Sequence, residues 1–144
     1  KRRLNIRQYD AITVIDDTYN ASPLSMAAAI EVLATVAKGR KVAAIGDMLE
    51  LGPAARDAHE RVGRQLAAAG VEVVLALGEM ARIAAETARQ QGVPEIAACP
   101  DHQTAIHILQ QKLQPGDTLL LKGSRGMTME KLLDAFALQP KEGK

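Results

Sequence analysis

Short apolar runs alternate with longer amphipathic segments along most of the chain. Apolar and polar residues alternate over 4–8, a turn follows near Asp10, and the apolar run 12–15 completes a predicted β-hairpin. Later apolar runs are short and continuous, whereas apolar residues in the segments between them recur at helical spacing. The pattern predicts strands at 41–45, 71–77, 96–99 and 118–121, and helices at 23–37, 54–70, 79–91, 102–113 and from the end of KGSRGM to about Leu138.

This order, β-α repeated five times behind a hairpin, is typical of an α/β domain. Strands that read as continuous apolar runs, such as VEVVLAL and TLLL, need helices on both faces of their sheet. We therefore predict a three-layer, Rossmann-like fold with a mostly parallel sheet of about six strands and one antiparallel edge strand. Right-handed crossovers bring every strand-to-helix loop to one edge of such a sheet. We expect 1–138 to form one domain and 139–144 a disordered tail.

Composition argues against several classes of function. The net charge of +1 gives no electrostatic basis for binding nucleic acid or an anionic membrane. Aromatic residues, at 2%, leave few surfaces on which bases can stack. No apolar run approaches ~18 residues, so no membrane span is expected. Cys99 is the single cysteine, which excludes an internal disulfide and argues against a cysteine-based zinc site, so a reducing, cytoplasmic location is the simplest expectation.

Three loops at the predicted edge are more polar than a turn requires: DDTYNASP (16–23), GDMLELGP (46–53) and KGSRGM (122–127). In KGSRGM, glycines and the start of a helix bring backbone amides beside Lys122, Ser124 and Arg125. Free N–H groups and the macrodipole of a helix attract anions, so we predict a carboxylate or phosphate site here. A strand–helix turn whose cations are simply solvated is the alternative.

The other two loops are acidic. Asp16 or Asp17 can accept hydrogen bonds from ribose hydroxyls, as acidic residues after a strand do in nucleotide-binding folds, and a capping and turn cluster explains them equally well. Asp47 and Glu50 suit a cation or an amine, with a solvated acidic loop as the alternative. His59 points inward from its helix near the same edge, where a buried histidine with satisfied hydrogen bonds is the favoured interpretation.

Motifs for a complete nucleotide site are missing from the chain. It has no G-x-x-x-x-G-K-[ST] phosphate loop, no G-x-G-x-x-G turn and no G-x-S-x-G elbow. If a nucleoside triphosphate is used, its phosphate loop lies elsewhere and this domain forms half of a site.

The conjunction of DDTYNASP, GDMLELG, His59 with Val62 and Gly63, and KGSRGMTME closely resembles the C-terminal domain of the MurF-type Mur ligases, over essentially the whole chain. The resemblance implies a three-domain enzyme whose N-terminal and central domains are absent from this chain. It implies addition of D-alanyl-D-alanine to UDP-N-acetylmuramoyl-tripeptide in peptidoglycan synthesis, through an acyl phosphate, with ATP and Mg²⁺ bound mainly by the central domain. The fragment alone is expected to be an inactive monomer.

The resemblance also implies roles for single residues. Arg3, in KRRL, matches an arginine that reaches the ATP phosphates, and Asp17 matches the acid that holds the ribose hydroxyls. Tyr19 and Asn20 match positions that line the closed interface and are assigned with them to ATP. The residues assigned to substrate binding match loops near the incoming dipeptide: Asp47, Lys122, Ser124 and Arg125.

Glu50 and His59 are weaker candidates for the site, and no residue of the chain is assigned to a metal. Two other interpretations stay open: a self-sufficient α/β module that binds a nucleotide or an amino acid, and the equivalent domain of a sister Mur ligase or of folylpolyglutamate synthetase. A self-sufficient module would bind its ligand tightly, whereas a ligase domain would bind ATP weakly without its neighbours.

Overall fold

The computed structural model describes residues 3–137, and their secondary structure follows the predicted alternation of strands and helices. The strands are β1 Asn5–Tyr9, β2 Ile12–Asp17, β3 Lys41–Gly46, β4 Val73–Leu77, β5 Glu95–Cys99 and β6 Thr118–Lys122. The helices are α1 Pro23–Val36, α2 Ala55–Ala68, α3 Glu79–Gln90, α4 His102–Lys112 and α5 Asp134–Ala137. Three short 3₁₀ helices lie at Gly52–Ala54, Arg125–Met127 and Met129–Leu133.

The six strands form one sheet in the order β1-β2-β6-β3-β4-β5. β1 pairs antiparallel with β2, and the other pairings are parallel. The predicted mostly parallel sheet with one antiparallel edge strand is therefore confirmed. Because β2, β6 and β3 are neighbours, the loops that follow them leave the same edge of the sheet side by side.

Helices cover both faces of the sheet, as predicted for strands that are buried on both sides. Successive strand residues point to opposite faces. Ile15, Ile45 and Leu120 belong to a core with α1, α2 and α3, whereas Val14 and Leu119 belong to a second core with α4 and the segment after β6. The sheet is thus the middle of three layers.

Local caps start two of the helices where the sequence predicts them. The Ser25 N–H donates to the Ser22 hydroxyl at 3.1 Å and the Ser22 N–H donates to the Ser25 hydroxyl at 2.9 Å, a reciprocal capping box with Pro23 at the first helical position. Before α4, the Asp101 carboxylate accepts a hydrogen bond from the Thr104 N–H at 2.8 Å. Each cap ends the loop after a strand and fixes the direction in which the chain continues.

The last predicted helix, from KGSRGM to about Leu138, is wrong in its form. Thr128 lies in the left-handed region (φ 46°, ψ 51°) and separates two 3₁₀ helices, so that only Asp134–Ala137 is α-helical in the described part of this segment. Met129 and Leu132 are buried in the second core, and their spacing of three is the repeat of a 3₁₀ helix. The expected tail 139–144 lies outside the described residues.

Helices α2 and α3 approach closely at Gly63. A Cβ atom at Gly63 would lie 2.7 Å from the Thr87 Cβ and 3.0 Å from the Ala88 backbone nitrogen. The facing positions of α3 are filled by small side chains, including Ala84 and Ala88, which are fully buried. The contact therefore depends on the absence of a side chain at Gly63.

The variant Gly63→Ala tests this contact. In an open helix the change would raise the free energy of unfolding by roughly 1 kcal/mol. Here the methyl group must push α2 away from α3, so we expect the free energy of unfolding to fall by about 1–3 kcal/mol in urea denaturation. Arg64→Ala, at an exposed position of the same helix, is the control and should change it by less than about 0.5 kcal/mol. An unchanged or higher stability of Gly63→Ala would contradict the close packing.

Candidate functional site

The three polar loops meet at the carboxyl edge of the sheet. Asp17 and Lys122 are register partners at the ends of the neighbouring strands β2 and β6. In the next loop along the edge, the Ser124 N–H donates to the Asp47 carbonyl at 2.9 Å. Asp17, Asp47 and Ser124 therefore lie at one edge of the molecule.

A buried ion pair lies at the centre of this edge. Lys122 Nζ donates to Asp17 Oδ2 at 2.8 Å and to the Asn20 carbonyl at 2.9 Å, although the Lys122 side chain is only 2% exposed. The other carboxylate oxygen, Asp17 Oδ1, accepts from the Leu4 N–H at 3.1 Å. Buried charges persist only with such partners. The pair therefore ties the segment before β1, the loop after β2 and the end of β6 together.

A cavity of about 280 Å³ opens beside this pair. Its lining comes from the segment before β1, the loop after β2, the start of α1 and the end of β6: Arg3, Tyr19, Asn20, Ala21, Ser22, Ser25 and Lys122. Three of the four residues assigned to ATP line it, and so does Lys122, which the resemblance groups with the dipeptide loops. Asp17 is not part of the lining and acts on the cavity through Lys122.

Asp16 points to the face of the sheet opposite to that of Asp17, its neighbour in β2. Its Oδ2 accepts from the Arg7 Nε at 3.1 Å and its Oδ1 accepts from the Thr18 hydroxyl at 2.7 Å, and the residue has no exposed surface. Of the two acids that the sequence leaves open for ribose binding, Asp17 is the one that contacts a residue of the cavity.

The Tyr19 ring contacts two arginines. The guanidinium carbon of Arg3 lies 4.4 Å from the ring centroid, and that of Arg125 lies 4.9 Å from it. Both distances fall within the ~6 Å range of cation–π attraction. Arg125 therefore lies against the loop after β2, on the same side as the cavity residues Arg3 and Tyr19.

Asp47 and Ser124 join the loops after β3 and β6. The Ser124 hydroxyl accepts from the Leu49 N–H at 2.7 Å, and Asp47 Oδ1 accepts from the Ala81 N–H at 2.7 Å. Ala81 lies in the first turn of α3, whose N-cap is Gly78 (φ 115°), so Asp47 supplies from another loop the capping oxygen that glycine lacks. A Cβ atom at Gly78 would lie 2.6 Å from the Asp47 Cγ. The contact therefore requires glycine there.

The two weaker candidates differ in their surroundings. Glu50 is exposed, with a left-handed φ of 65°. His59 is buried; its Nδ1 lies 2.7 Å from the Ala55 carbonyl and its Nε2 accepts from the Met48 N–H at 3.0 Å. The neutral tautomer with hydrogen on Nδ1 satisfies both bonds. His59 thus fastens the loop after β3 to α2, in agreement with the favoured interpretation of a buried, satisfied histidine.

The remaining nucleophile and ligand candidates at this edge are engaged. Cys99 is buried, and this burial, with a smaller effect of the Asp101 charge, raises the pKa of its thiol. A thiol that stays protonated at neutral pH lacks the character of a nucleophilic cysteine. The His102 Nε2 lies 2.8 Å from the Met127 carbonyl. In the described part of the chain, no three His, Cys, Asp or Glu residues form a group that could hold a metal ion.

The helix start predicted at KGSRGM is absent, because Ser124 is followed by 3₁₀ helices and the α-helix begins only at Asp134. Ser124 is followed by one 3₁₀ turn, in which the Met127 N–H donates to the Ser124 carbonyl at 2.8 Å. One such turn lacks the summed dipole of an α-helix. Lys122 is neutralised by Asp17, so within residues 3–137 the charge that no ion pair balances in this loop is that of Arg125.

Three residues of the cavity were not predicted as site residues. Ala21, Ser22 and Ser25 line it together with the predicted ones. The sequence indicates Ser22 as a helix cap, and a cap has no need of a ligand. The signal that could have identified them is their position. Ala21 and Ser22 follow Asn20 directly, and Ser25 lies in the first turn of a helix that starts at the carboxyl edge of the sheet.

One family model and several curated proteins match most of this chain. The domain described as "Mur ligase, glutamate ligase domain" matches residues 2–125. The UDP-N-acetylmuramoyl-tripeptide–D-alanyl-D-alanine ligase of Bacillus subtilis is 30% identical, over 96% of this chain and 31% of the relative. The enzyme of the same name from Escherichia coli is 40% identical, over 85% of this chain and 26% of the relative. The chain therefore spans less than a third of the length of these curated relatives.

Solved structures are similar in the same way. MurF from Acinetobacter baumannii matches 96% of this chain and 31% of its own, with a TM-score of 0.82 and 35% identity. MurF ligase from Thermotoga maritima, crystallised in complex with ADP, matches 94% of this chain and 30% of its own, with a TM-score of 0.76 and 29% identity. Folylpolyglutamate synthase from the same organism matches 95% of this chain and 30% of its own, with a TM-score of 0.61 and 12% identity, which shows a shared fold.

The buried ion pair gives a testable prediction for stability. Lys122→Met leaves an unbalanced buried carboxylate, so we expect the free energy of unfolding to fall by about 3–5 kcal/mol in urea denaturation. Asp17→Asn should also destabilise, and the double variant should cost clearly less than the sum of the two single variants.

The exposed, i,i+4 pair of Arg56 and Glu60 provides the matched control. Arg56→Ala should change the free energy of unfolding by no more than about 0.5 kcal/mol, because solvent screens such pairs. Additive effects of Lys122→Met and Asp17→Asn would show that the two side chains do not depend on each other.

Proposed function

The chain belongs to the Mur ligase family, and on that basis we propose that it is the C-terminal domain, over 1–138, of a MurF-type enzyme. In this proposal the whole enzyme joins D-alanyl-D-alanine to UDP-N-acetylmuramoyl-tripeptide in peptidoglycan synthesis and uses ATP as a co-substrate. The curated relatives carry that activity in their names, and their identities of 30% and 40% over most of this chain support its transfer.

The observation that carries the proposal is the cavity at the carboxyl edge. It lies beyond the ends of the strands, where open α/β sheets bind their ligands. Its lining brings together Arg3, Tyr19 and Asn20, the residues that the family resemblance assigns to ATP. Lys122 adds a further polar group, which Asp17 holds in place. The structural similarity to a ligase crystallised with ADP supports the use of an adenine nucleotide by the proposed enzyme.

In the proposed reaction, the tripeptide carboxylate attacks the γ-phosphorus of ATP, giving an acyl phosphate and ADP. The amine of D-alanyl-D-alanine then displaces phosphate and forms the amide. Arg3 would balance charge on the transferring phosphoryl group, because a guanidinium meets phosphate oxygens with two parallel hydrogen bonds. Asp17 is buried outside the cavity lining, so in this proposal it acts on the nucleotide side of the site by holding Lys122 in place. Closure of this domain over its neighbours would exclude water from the acyl phosphate.

The dipeptide side of the site is assigned to the loops after β3 and β6. Asp47 and Ser124 are occupied by hydrogen bonds within the protein, so we assign them the shape of these loops rather than direct charge pairing. Glu50 is exposed and carries a charge that suits the dipeptide ammonium group. Arg125 contacts the Tyr19 ring beside the cavity.

The N-terminal and central domains, with the phosphate loop, are proposed to lie outside this chain. Mg²⁺ is assigned to them as well, because the described residues include no group of three acidic, histidine or cysteine side chains that fits a metal ion. None of the helices in residues 3–137 has the length and apolar character to cross a bilayer. A cytoplasmic location and a monomeric state remain predictions.

Sequence identity separates this proposal from the sister ligases. Structures of MurF enzymes are 29% and 35% identical to this chain, whereas folylpolyglutamate synthase is 12% identical and shares only the fold. Titration of the 144-residue chain with ATP distinguishes the ligase domain from the alternative, a self-sufficient binding module. That module would bind ATP tightly as the 144-residue chain, whereas a ligase domain would bind it weakly.

Ligase activity of the full-length protein tests the proposal. Phosphate release should require ATP, UDP-N-acetylmuramoyl-tripeptide and D-alanyl-D-alanine together, and the 144-residue chain alone should give none. Arg3→Met should raise KM for ATP about tenfold, through the loss of a charge-assisted contact.

Arg82→Met is the control, because Arg82 is exposed on α3 and makes no contact with the cavity; its kinetics should equal those of the unmodified enzyme. Turnover by the chain alone, or phosphate release that is indifferent to the dipeptide, would contradict the proposed function.

A further inference from the structure

Two positive charges from distant parts of the sequence lie on one aromatic ring. Arg3 precedes β1 and Arg125 follows β6, and both guanidinium groups contact the Tyr19 ring. Both arginines are exposed. Among residues 3–137, neither has an ion pair with a carboxylate, in contrast to Lys122, which is paired with Asp17. The charge of this small region is therefore set by two unbalanced guanidinium groups.

Such an arrangement is suited to an anion. Two like charges held close together repel each other, and the electron-rich face of the tyrosine ring offsets that repulsion only in part. An anion that reaches both guanidinium groups offsets the repulsion and gains charge-assisted hydrogen bonds to both. Because both guanidinium groups already contact the Tyr19 ring, an anion meets arginines that are ordered before it binds.

We propose that Tyr19 is a positioning residue that holds Arg3 and Arg125 as a clamp for one oligophosphate. Resting on the proposed function, that oligophosphate is the triphosphate of ATP, and Arg125 then acts on the nucleotide rather than on the carboxylate of the dipeptide. The clamp adds Arg125 to the ATP side of the site and gives Tyr19 a role that a ring stacked on a base would not have.

The presence of two guanidinium groups favours an oligophosphate over a single carboxylate as the ligand. One carboxylate is satisfied by one guanidinium fork, which leaves the second arginine unbalanced. A triphosphate offers oxygens on successive phosphorus atoms and several negative charges, so it can reach both forks at once. Arg3 and Tyr19 line the cavity of about 280 Å³. Of its other polar side chains, Asn20, Ser22 and Ser25 are neutral, and the charge of Lys122 is balanced by Asp17.

The binding test uses inorganic tripolyphosphate, which carries the phosphate charge without a nucleoside. The chain has two tyrosines and no tryptophan, so Tyr9→Phe leaves Tyr19 as the single source of tyrosine fluorescence. Phenylalanine at position 9 keeps the stack on Phe136, whose ring centroid lies 4.4 Å from that of Tyr9. Cooperative unfolding in urea first establishes that this variant is folded. Tripolyphosphate should then change its Tyr19 fluorescence.

Calorimetric titration with tripolyphosphate then separates the roles of the three residues. Tyr19→Phe keeps an aromatic face and should stay within about twofold of the parent affinity, whereas Tyr19→Leu should weaken binding about tenfold. Arg125→Met should also weaken binding about tenfold, and should cost little more in the Tyr19→Leu background, because the two changes break one unit. Arg125→Met with unchanged tripolyphosphate affinity would overturn the clamp.

Steady-state kinetics of the full-length protein provide the second measurement. Arg125→Met and Tyr19→Leu should raise KM for ATP and leave KM for D-alanyl-D-alanine unchanged, with Tyr19→Phe restoring the parent values. A rise in the dipeptide KM alone would assign Arg125 to the dipeptide and refute the proposal. If the full-length protein shows no ligase activity, the proposed function fails while the titrations still decide whether the clamp binds oligophosphate.

Discussion

The buried pair of Lys122 and Asp17 is the interaction on which the candidate site depends. A lysine at the end of a central strand would face a large desolvation cost without a counter-charge. The register of two parallel strands puts the counter-charge directly beside it. The pair also accepts or donates bonds to the backbone of Leu4 and Asn20, so one electrostatic contact sets the position of both chain segments that frame the cavity. A buried ion pair adds little net stability, but separating its partners leaves two uncompensated buried charges. This cost keeps the segment before β1 and the loop after β2 attached to the end of β6.

The fold could be predicted from the sequence because the apolar runs, the amphipathic segments and the helix caps all indicate the same α/β architecture. Continuous apolar strands required covered faces, amphipathic segments supplied the covering helices, and Ser22 with Pro23 marked a helix start that the structure contains. The order of the strands could not be obtained in that way. The order depends on which strands the crossovers make neighbours. With β6 between β2 and β3, this order brings the three polar loops together.

The site could be predicted less completely, for reasons that are physical. Lys122 and Asp17 are 105 positions apart in sequence, and neither residue alone indicates that it neutralises the other. The apolar spacing after KGSRGM suits an α-helix and a 3₁₀ helix equally, so the left-handed Thr128 and the loss of the helix dipole were not foreseeable. The two arginines on Tyr19 come from opposite ends of the chain and meet only because β1 and β6 both flank β2.

Asp47 illustrates how a charged residue in a ligand-like loop can be committed to architecture. Its carboxylate oxygen is already used by the first turn of α3, across a glycine that leaves no room for a side chain. A small molecule built around an amine to capture this acid would have to compete with a backbone hydrogen bond inside the fold, and would loosen a helix before it gained affinity. Inhibitor chemistry at this edge is better served by anionic groups, which meet the solvent-facing guanidinium groups without dismantling any part of the scaffold.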